Sequence, residues 1–238
     1  CNLFKGDDID LDNVHKSPVR EDGSTFPGVF AFYRDGVPLF YEKTYDVQLS
    51  RRRCTSELSG LAYMQLKFWS DPLVINCKYE GNGVVIRQKA LKRMPLRRNH
   101  LVDVAKQLRF FNETLGRMHR DVKASNVMVD EHTDYAYLID YGCSCPTRSS
   151  TDTFEGTAKW MSGSAHRGHM DEQRDMYAFG WLILQTQGHP LLGDLETASN
   201  NPLSLVLYHD DVRHTEDVPP VVRMAWQGTS WDDVLELL

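Results

Sequence analysis

The sequence lacks the features by which membrane and secretory proteins are recognised. Its 238 residues contain no apolar run of the roughly 18 residues that a bilayer-spanning helix needs. No signal peptide is visible, but the sequence starts at Cys1 without a Met, so we expect a trimmed chain whose compartment stays open. With 41% hydrophobic and 25% charged residues, the composition predicts a globular protein without a membrane span.

A surplus of positive charge is also missing. Lys and Arg number 27 against 33 Asp and Glu, which gives a formal net charge of −6. Domains that bind nucleic acids are more often basic, so we expect no nucleic-acid partner. The basic clusters "RRR" and "KRMPLRR" are interpreted as solvated faces, with a substrate or partner surface as the alternative.

The five cysteines are too few for a disulfide scaffold. Cys1, Cys54 and Cys77 could pair or remain buried thiols, whereas Cys143 and Cys145 are too close to pair easily. Their C-x-C spacing is a poor match to the C-x2-4-C of zinc sites. We therefore interpret "CSC" and the histidines of "HRGH" as loop thiols and surface side chains, with zinc as a minor alternative.

Hydrophobic periodicity predicts a β-rich first part. Two aromatic-rich runs flank the turn signal "RDG" in "GVFAFYRDGVPLFYEKTYD", and "PLVINCKYEGNGVVIRQKA" is a second hairpin broken at "EGNG". Between them, "SRRRCTSELSGLAYMQLKFW" has helical spacing, and Ser50 is its candidate N-cap. The residues predicted for the apolar face of this helix are Leu58, Leu61, Ala62, Leu66 and Trp69.

The remainder predicts helices around one short strand. "NHLVDVAKQLRFFNETLGRMH" carries apolar residues at helical spacing, "DYAYLIDYG" is a strand, and "DEQRDMYAFGWLILQTQG" is a buried helix ending at Gly188. "VVRMAW" and "SWDDVLELL" are helical again. This order predicts an α+β protein, with an irregular extension over residues 1–27, a small β-rich lobe over 28–89 and a mostly helical lobe over 90–238.

Four motifs occur in a fixed order in the helical part. "HRDVKASN" begins at His119, and "DYG" begins at Asp140, 14 residues after Asn126. Gly156 of "EGTAKWM" follows Gly142 by another 14 residues, and "DMYAFG" opens the apolar helix. Each motif alone is a weak signal, but four of them in order are specific.

With these motifs, residues 28–238 resemble the protein-kinase superfamily of the serine/threonine type. The resemblance implies a bilobal fold, ATP with Mg²⁺ or Mn²⁺ as cofactors, and a protein substrate or binding partner. Phosphoryl transfer needs metal ions, phosphate positioning and an oriented acceptor hydroxyl, with little covalent chemistry from the protein. The oligomeric state is left open.

The resemblance also implies roles for the matching residues. Asp121 would accept or orient the proton of the substrate hydroxyl, and Lys123 would lie near the γ-phosphate. Asn126 and Asp140 would hold the metal, which prefers hard oxygen ligands. Tyr141 stands where Phe is usual, a mild change because an aromatic ring can still pack there.

Four further positions are implied in the same way. Lys43 of "FYEK" fits the strand lysine that contacts the α- and β-phosphates, and Glu57, 14 residues later, fits its helix partner. Asp175 of "DMYAFG" would bond to the backbone of the catalytic loop. His119 is expected to be a structural residue of that loop.

Regulation is expected in the segment around "EGT". Thr153 lies three residues before its glycine, where many kinases carry an activating phosphate, and Arg120 is the natural charge-assisted partner of such a phosphate. Thr157 belongs to the stretch that seats the substrate. The alternative is that Asp152 and Glu155 already supply the negative charge, so that Thr153 is a plain loop residue.

The phosphate-covering loop of the resembled family has no counterpart in the sequence. No G-x-G-x-x-G precedes Lys43, because "REDGSTFPG" has glycines only at Gly23 and Gly28. Pro27 removes a backbone N–H where phosphate binding favours donors. This departure puts ordinary ATP binding in question.

Two more departures lie in the helical part. Ser162, Gly163 and Ser164 replace the usual Ala-Pro-Glu, and no arginine follows Arg223 to pair with the missing glutamate. Joint replacement of a buried ion pair can be neutral, so we interpret this as divergence. The distance from "VVIRQ" to "HRD" is short, which predicts a reduced small helix at that point.

Two main functions stay open. One is an active serine/threonine kinase, and the other is a pseudokinase scaffold that binds partners without turnover; a kinase-like small-molecule phosphotransferase is a minor third. A complete catalytic set without a glycine loop resembles the secreted with-no-Gly-loop kinases of apicomplexan parasites, a family that includes a bradyzoite pseudokinase. That resemblance implies a parasite secretory organelle or the parasitophorous vacuole, and the cytoplasm is the alternative.

Overall fold

A computed structural model of the protein describes residues 13–18, 28–147, 155–167 and 173–238. The chain divides into two compact units, Cys1–Lys92 and Arg93–Leu238. The residue pattern predicts the corresponding boundary after residue 89.

The first unit is built on an antiparallel sheet of order β1-β2-β3-β5-β4. Asp35 and Gly36 form the β2–β3 turn with φ of 51° and 77°, the left-handed backbone that a tight hairpin with a right-handed twist needs. Both predicted hairpins are confirmed. The elements of this unit are β1 (His15–Pro18), β2 (Gly28–Arg34), β3 (Val37–Asp46), α1 (Val47–Lys67), β4 (Val74–Glu80) and β5 (Gly83–Lys89).

Strand β1 corrects the expectation of an irregular lead-in over residues 1–27. Its four residues pair antiparallel with β2, with His15 opposite Tyr33 and Pro18 opposite Phe30. This strand is hard to predict because an edge strand of four residues has almost no periodicity, and Pro18 is tolerated at the end of such a strand.

Helix α1 begins earlier than predicted. Asp46, and not Ser50, caps it, since the Asp46 carboxylate accepts from the backbone N–H groups of Gln48 at 2.8 Å and Leu49 at 3.2 Å. Ser50 lies inside the helix at a kink, with φ −130° and ψ 25°. A short first turn therefore precedes the longer helical part that the sequence pattern detects.

The predicted apolar face of α1 is partly wrong. Leu66 is 58% exposed, because the face that packs on the sheet includes a carboxylate that a hydrophobic pattern cannot anticipate. The residues of this buried face are Cys54, Glu57, Gly60, Leu61 and Met64, at a spacing of three and four that one side of a helix requires.

The second unit is mostly helical and is organised around α4, whose residues from Arg174 to Leu184 are all buried. Gly180 lets the Trp226 indole lie against this helix, because a Cβ at that position would collide with the ring. The elements are α2 (Arg98–Arg109), β6 (Arg117–Met118), β7 (Val127–Asp130), β8 (Tyr135–Leu138), β9 (Cys145–Pro146), α3 (Gly163–His166), α4 (Arg174–Gln187), α5 (Leu191–Ala198), α6 (Pro202–Val212), α7 (Pro220–Gln227) and α8 (Trp231–Leu237).

Most predicted helices of this unit are confirmed, including the end of α4 at Gly188, whose φ is 61°. Residues 90–97 contain no helix, as the short spacing predicted. Helix α2 ends sooner than predicted, in a π-helical turn over Phe110–Thr114. Helices α5 and α6 were not anticipated, although Pro190 and Pro202 at their beginnings are start signals.

The structure also bears on the open cysteine question. Cys77 of β4 is disulfide-bonded, whereas Cys54, Cys143 and Cys145 are thiols outside any disulfide. Burial raises the pKa of the Cys54 thiol and that of Cys145, so neither is an activated thiolate. In the parts of the chain that the structure describes, no helix combines the length and apolar character needed to cross a membrane.

Candidate active site

The loop after β6 carries the "HRD" residues and is held by Asp175 at the start of α4. Asp175 is fully buried, and its carboxylate accepts from the backbone N–H groups of His119 at 2.6 Å and Arg120 at 2.8 Å. Arg120 has a φ of 68°, which a side chain with a Cβ rarely adopts without outside support. Asp175 supplies that support, in the position that the sequence resemblance implied.

Asn112 and Trp231 extend this anchor and were missed by the sequence analysis. The Asn112 amide donates to Asp175 Oδ2 and to the Arg117 carbonyl, both at 2.8 Å. Trp231 Nε1 of α8 donates to Asn112 Oδ1 at 3.1 Å. The π-helical turn orients Asn112 inward, and turns of this kind are frequent at functional sites. No local sequence signal marks either residue.

His119 joins the loop to the strand that leads to "DYG". Its Nε2 lies 3.1 Å from the Ile139 carbonyl, and its Nδ1 accepts from the Asp121 N–H at 3.3 Å. This pattern assigns the proton to Nε2 of a neutral ring, and burial lowers the His119 pKa accordingly. Tyr141 packs edge-on against His119, at 4.8 Å between centroids, and against Phe111, at 5.1 Å.

The Asp121 carboxylate is surrounded by donors. Oδ1 accepts from the Thr157 N–H at 3.0 Å and from its hydroxyl at 2.7 Å. Oδ2 accepts from Asn126 Nδ2 and Lys123 Nζ, both at 2.9 Å. Lys123 Nζ also donates to the Thr157 hydroxyl at 2.8 Å. The predicted base, the predicted phosphate lysine and the predicted substrate-segment threonine therefore form one closed hydrogen-bonded ring.

Asn126 and Asp140 have the chemistry of a divalent metal site. The Asn126 amide nitrogen donates to Asp121 Oδ2 and to the Asp121 carbonyl at 2.8 Å, so the amide oxygen points away from Asp121. The Ile139 N–H donates to the Asn126 carbonyl at 2.9 Å, which brings Asp140 beside Asn126. Two oxygen ligands fit Mg²⁺, which usually keeps several waters and binds phosphate oxygens as well.

Asp140 adopts a left-handed backbone, with φ and ψ both 66°. An aspartate tolerates this region better than most residues, and here it lies at the turn between β8 and the following 3-10 helix. The half-buried carboxylate also contributes negative charge near His119. The metal-binding role of both residues stays a prediction.

In the first unit, Lys43 and Glu57 form an ion pair with Nζ and Oε1 3.4 Å apart. Glu57 is fully buried and Lys43 nearly so, and Lys43 Nζ lies 5.3 Å from the Tyr45 ring. The β3 register, with Lys43 between Val29 and Ile86, fixes the strand that carries the lysine. The phosphate-binding role of Lys43 stays a prediction.

Arg120 contacts the segment before Thr157. Its Nη2 lies 3.2 Å from Glu155 Oε2, and its Nε donates to the Cys143 carbonyl at 2.6 Å. Arg174 donates to the Glu155 carbonyl. Thr153, the predicted phosphorylation site, lies outside the described residues.

The Ser-Gly-Ser replacement is accommodated by new contacts. Ser162 is fully buried and caps α3, accepting from the Ala165 N–H at 3.2 Å. Arg167 forms a bidentate ion pair with Asp210 of α6, with Nη1–Oδ2 at 2.7 Å and Nη2–Oδ1 at 3.1 Å. An arginine of the segment itself thus links it to the helices, which fits divergence of the usual pair.

Two of the sequence features interpreted above lie outside the residues that the structure describes. Apart from Gly28, the stretch "REDGSTFPG", where the glycine loop is missing, lies outside the structure's range. His169 of "HRGH" does too. Within the described ranges, no three His, Cys, Asp or Glu side chains are grouped as metal ligands.

Comparison with known proteins agrees with this geometry. Residues 76–219 match the model of the protein kinase domain, which covers more than half of the chain. The chain therefore belongs to the protein kinase family.

Individual relatives are all longer proteins. A dual serine/threonine and tyrosine protein kinase of Strongylocentrotus purpuratus is 35% identical over 95 residues, 40% of this chain and 10% of that protein. A probable LRR receptor-like serine/threonine-protein kinase of Arabidopsis thaliana is 29% identical over 54% of the chain and 14% of its own length. Serine/threonine-protein kinase PknB of Mycobacterium tuberculosis is 27% identical over 65% and 25%. The matches thus span a tenth to a quarter of these relatives.

Proposed function

We propose that this chain is a serine/threonine protein kinase that transfers the γ-phosphate of ATP to protein hydroxyls without a glycine-rich loop. The observation that carries the proposal is the Asp121 carboxylate, which is oriented by Thr157, Asn126 and Lys123. A fixed base beside two oxygen ligands for a metal is what phosphoryl transfer requires from this part of a kinase. The serine/threonine type is supported by Lys123 and by the names of two of the three relatives, whereas the first is named a dual serine/threonine and tyrosine kinase.

The hydrogen bonds suggest which oxygen of Asp121 takes the proton. Oδ1 holds both Thr157 donors, whereas Oδ2 accepts from Asn126 and from Lys123. The flexible Lys123 side chain can turn toward a phosphate and so vacate its place on Oδ2. Asp121 then accepts the hydroxyl proton through Oδ2. As it does so, the bond from the substrate oxygen to the γ-phosphorus forms, and the bond from that phosphorus to the β-phosphate oxygen breaks.

Asn126 and Asp140 would hold the divalent metal in this proposal. When bound, the metal neutralises the phosphate charge as it is redistributed during transfer. Asn126 serves this role because its nitrogen is already committed to Asp121, which leaves the amide oxygen as the ligand. Lys43, oriented by Glu57, would contact the α- and β-phosphates.

The direct test is phosphate transfer to a generic protein substrate by wild type and Asp121→Asn. The variant keeps an acceptor for Thr157 but loses the base, so we expect the rate to fall by about 10²–10⁴-fold. The exposed Asp232→Asn serves as a matched control and should keep full activity. Equal activity of Asp121→Asn and wild type would mean that Asp121 is not the base, and no transfer by wild type would remove the enzyme proposal.

A pseudokinase scaffold is the second candidate. It is favoured by one sequence observation: Pro27 and the absence of G-x-G-x-x-G deny the phosphates the backbone donors that usually cover them. On this account the ordered Asp121 ring is a structural remnant, and the chain binds protein partners. The same transfer assay distinguishes the two functions.

The narrower placement among secreted with-no-Gly-loop kinases of apicomplexan parasites belongs to the proposal as well. It is supported by the intact catalytic set without the loop, and by the disulfide at Cys77, since disulfides persist mainly in oxidising compartments. Intact-mass measurement with thiol alkylation, on protein isolated from its own cells, tests this. Finding Cys77 alkylated without prior reduction would contradict the secretory assignment.

A further inference from the structure

The residues after Thr157 border the place where a substrate hydroxyl would meet the proposed base. Thr157 donates its N–H and its hydroxyl to Asp121 Oδ1 at 3.0 and 2.7 Å. The chain then forms one short 3-10 helix, Ala158–Trp160. A protein chain that brings a hydroxyl to Asp121 must pass beside this turn, and we call residues 157–161 the seating segment.

His166 of α3 holds the backbone of the seating segment. Its Nε2 donates to the Ala158 carbonyl at 3.0 Å, directly after Thr157 in the chain. Burial lowers the His166 pKa, so the ring is neutral at pH 7 and carries its proton on Nε2, because a carbonyl can only accept. His166, interpreted from the sequence as a surface side chain, is therefore half-buried and hydrogen-bonded.

His209 of α6 supports the His166 ring from behind. The two imidazoles are stacked, with centroids 5.7 Å and planes 24° apart. His209 is fully buried and is hydrogen-bonded through Nδ1 to the Tyr177 hydroxyl of α4 at 2.8 Å. The backbone of Lys159 lies close enough to the His209 ring to affect its pKa. The direction of His166 Nε2 toward the seating segment is thus fixed by packing before any substrate binds.

The surroundings of the seating segment leave little room for it to shift. Helices α3 and α6 are in close contact, because a Cβ at Gly163 would collide with the Asp210 carboxylate. Trp160, at the far end of the 3-10 helix, lies against Trp181 of α4 with 6.4 Å between ring centroids. The seating segment is therefore fixed at Trp160 by packing and at Ala158 by a hydrogen bond.

We infer that His166 is a positioning residue for the protein substrate, which keeps the seating segment in its receiving arrangement through the bond to the Ala158 carbonyl. The inference rests on the proposed kinase function and deepens it, because it assigns a determinant of substrate binding apart from the residues proposed for ATP and the metal. The effect should appear in the KM for a protein substrate and not in the KM for ATP, since the bond acts on the seating segment.

The experiment compares phosphate transfer to casein by wild type, His166→Phe and His166→Gln. Phenylalanine keeps a ring that can stack on His209 but has no donor for Ala158, whereas glutamine keeps a donor of similar reach. His166→Phe should raise the KM for casein about tenfold, as loss of one hydrogen bond does, and change the KM for ATP less than about twofold. His166→Gln should recover most of the loss. His214→Phe, on an exposed histidine of the same unit, should match wild type.

Amide hydrogen exchange supplies a readout that does not depend on activity. The N–H groups of Trp160 and Met161 donate to the Thr157 and Ala158 carbonyls, both at 3.0 Å. They should exchange faster in His166→Phe than in wild type or His166→Gln, while the amides of α4 stay unchanged. A merely structural role would lower the protection of α4 as well. If His166→Phe does not fold, the smaller His166→Leu, which also lacks the donor, takes its place.

The outcomes separate this inference from the kinase proposal. A His166→Phe variant that matches wild type in the KM for casein and in exchange overturns the inference and leaves the kinase function intact. So does an equal rise in the KM for ATP, or a loss that His166→Gln does not recover. If wild type transfers no phosphate, the kinase proposal fails, and fluorescence anisotropy of labelled casein without nucleotide decides. Weaker casein binding by His166→Phe than by wild type then supports the inference, and equal or absent binding contradicts it.

Discussion

The catalytic loop of the second unit and the Lys43–Glu57 pair of the first unit differ in how firmly they are fixed. Asp175 and Asp121 accept bonds of 2.6 to 3.0 Å from several backbone and side-chain donors, whereas Lys43 and Glu57 meet at 3.4 Å. Catalytic contacts are often long before substrate binds. The comparison indicates that the loop is ordered before any substrate binds, while on the proposed function the longer Lys43–Glu57 contact would tighten on phosphate.

Breaking the anchor of the loop should have the largest effect on stability. Asp175→Ala leaves the His119 and Arg120 N–H groups without acceptors and removes a buried carboxylate beside Arg120 and Arg174. We expect the free energy of unfolding to fall by about 3–5 kcal/mol, measured by urea denaturation. Asp232→Ala, on an exposed carboxylate, is the control, and a loss below about 1 kcal/mol in Asp175→Ala would contradict the account.

Acid should weaken the second unit through its buried histidines. Burial lowers the pKa of His119 and lowers that of His209 to about 3, with His166 nearby adding to the shift. The Tyr177 hydroxyl and His209 Nδ1 also form a hydrogen bond of 2.8 Å. Because the folded pKa values lie below the unfolded value of about 6.5, their stabilising contribution is complete above that pH and is lost as pH falls.

The size of this pH effect on the free energy of unfolding follows from protonation of the histidine in the unfolded state. Between pH 7.5 and 5, protonation of His209 in the unfolded state should cost roughly 2 kcal/mol of the free energy of unfolding, because its folded pKa of about 3 lies below this window. His209→Gln should remove this contribution to the pH dependence in denaturation experiments, and the exposed His132→Gln should leave the pH dependence unchanged. A slope that does not respond to His209→Gln would show that the buried ring does not control the acid sensitivity.

The lysine pair should show a smaller effect on nucleotide binding. Glu57→Gln keeps the shape of the side chain but removes the charge that orients Lys43 and neutralises it in a buried pair. We expect about tenfold weaker ATP binding, or roughly 1.4 kcal/mol, and a lower melting temperature of the protein without ligand, because Lys43 loses its buried counter-ion. The exposed Glu80→Gln on the same sheet is the control, and unchanged affinity in Glu57→Gln would mean that the pair does not serve the phosphates.

The structural features predicted from the sequence are those that depend on local residue patterns or on the order of motifs along the chain. The hairpin at Asp35 and Gly36 carries its own turn chemistry, and the spacing of Lys43 and Glu57 anticipated a pair that the structure contains. Contacts between distant segments were not predictable. Asn112 meets Trp231 across 119 residues, and no periodicity encodes such a partner.

Competition between local signals explains the other misses. Ser50 is a good N-cap residue, but Asp46 lies earlier in the chain and its carboxylate accepts from the first backbone N–H groups of the helix. Asp46 is therefore the N-cap. Glu155 was noticed only as a possible source of negative charge. Its contact with Arg120 depends on the left-handed turn at Gly156, which the sequence alone does not fix.

The central claim is that Asn126 and Asp140, the proposed metal ligands of the second unit, still allow nucleotide to bind although no G-x-G-x-x-G precedes Lys43. Thermal melting with and without millimolar Mg²⁺-ATP or Mn²⁺-ATP tests it most directly, using wild type and Asp140→Ala. At about 100 times the Kd, ligand should stabilise wild type by about 2.7 kcal/mol, a shift of roughly 5–10 °C. The shift should require the metal and vanish in Asp140→Ala. No shift in wild type, or a shift without metal, would contradict the account.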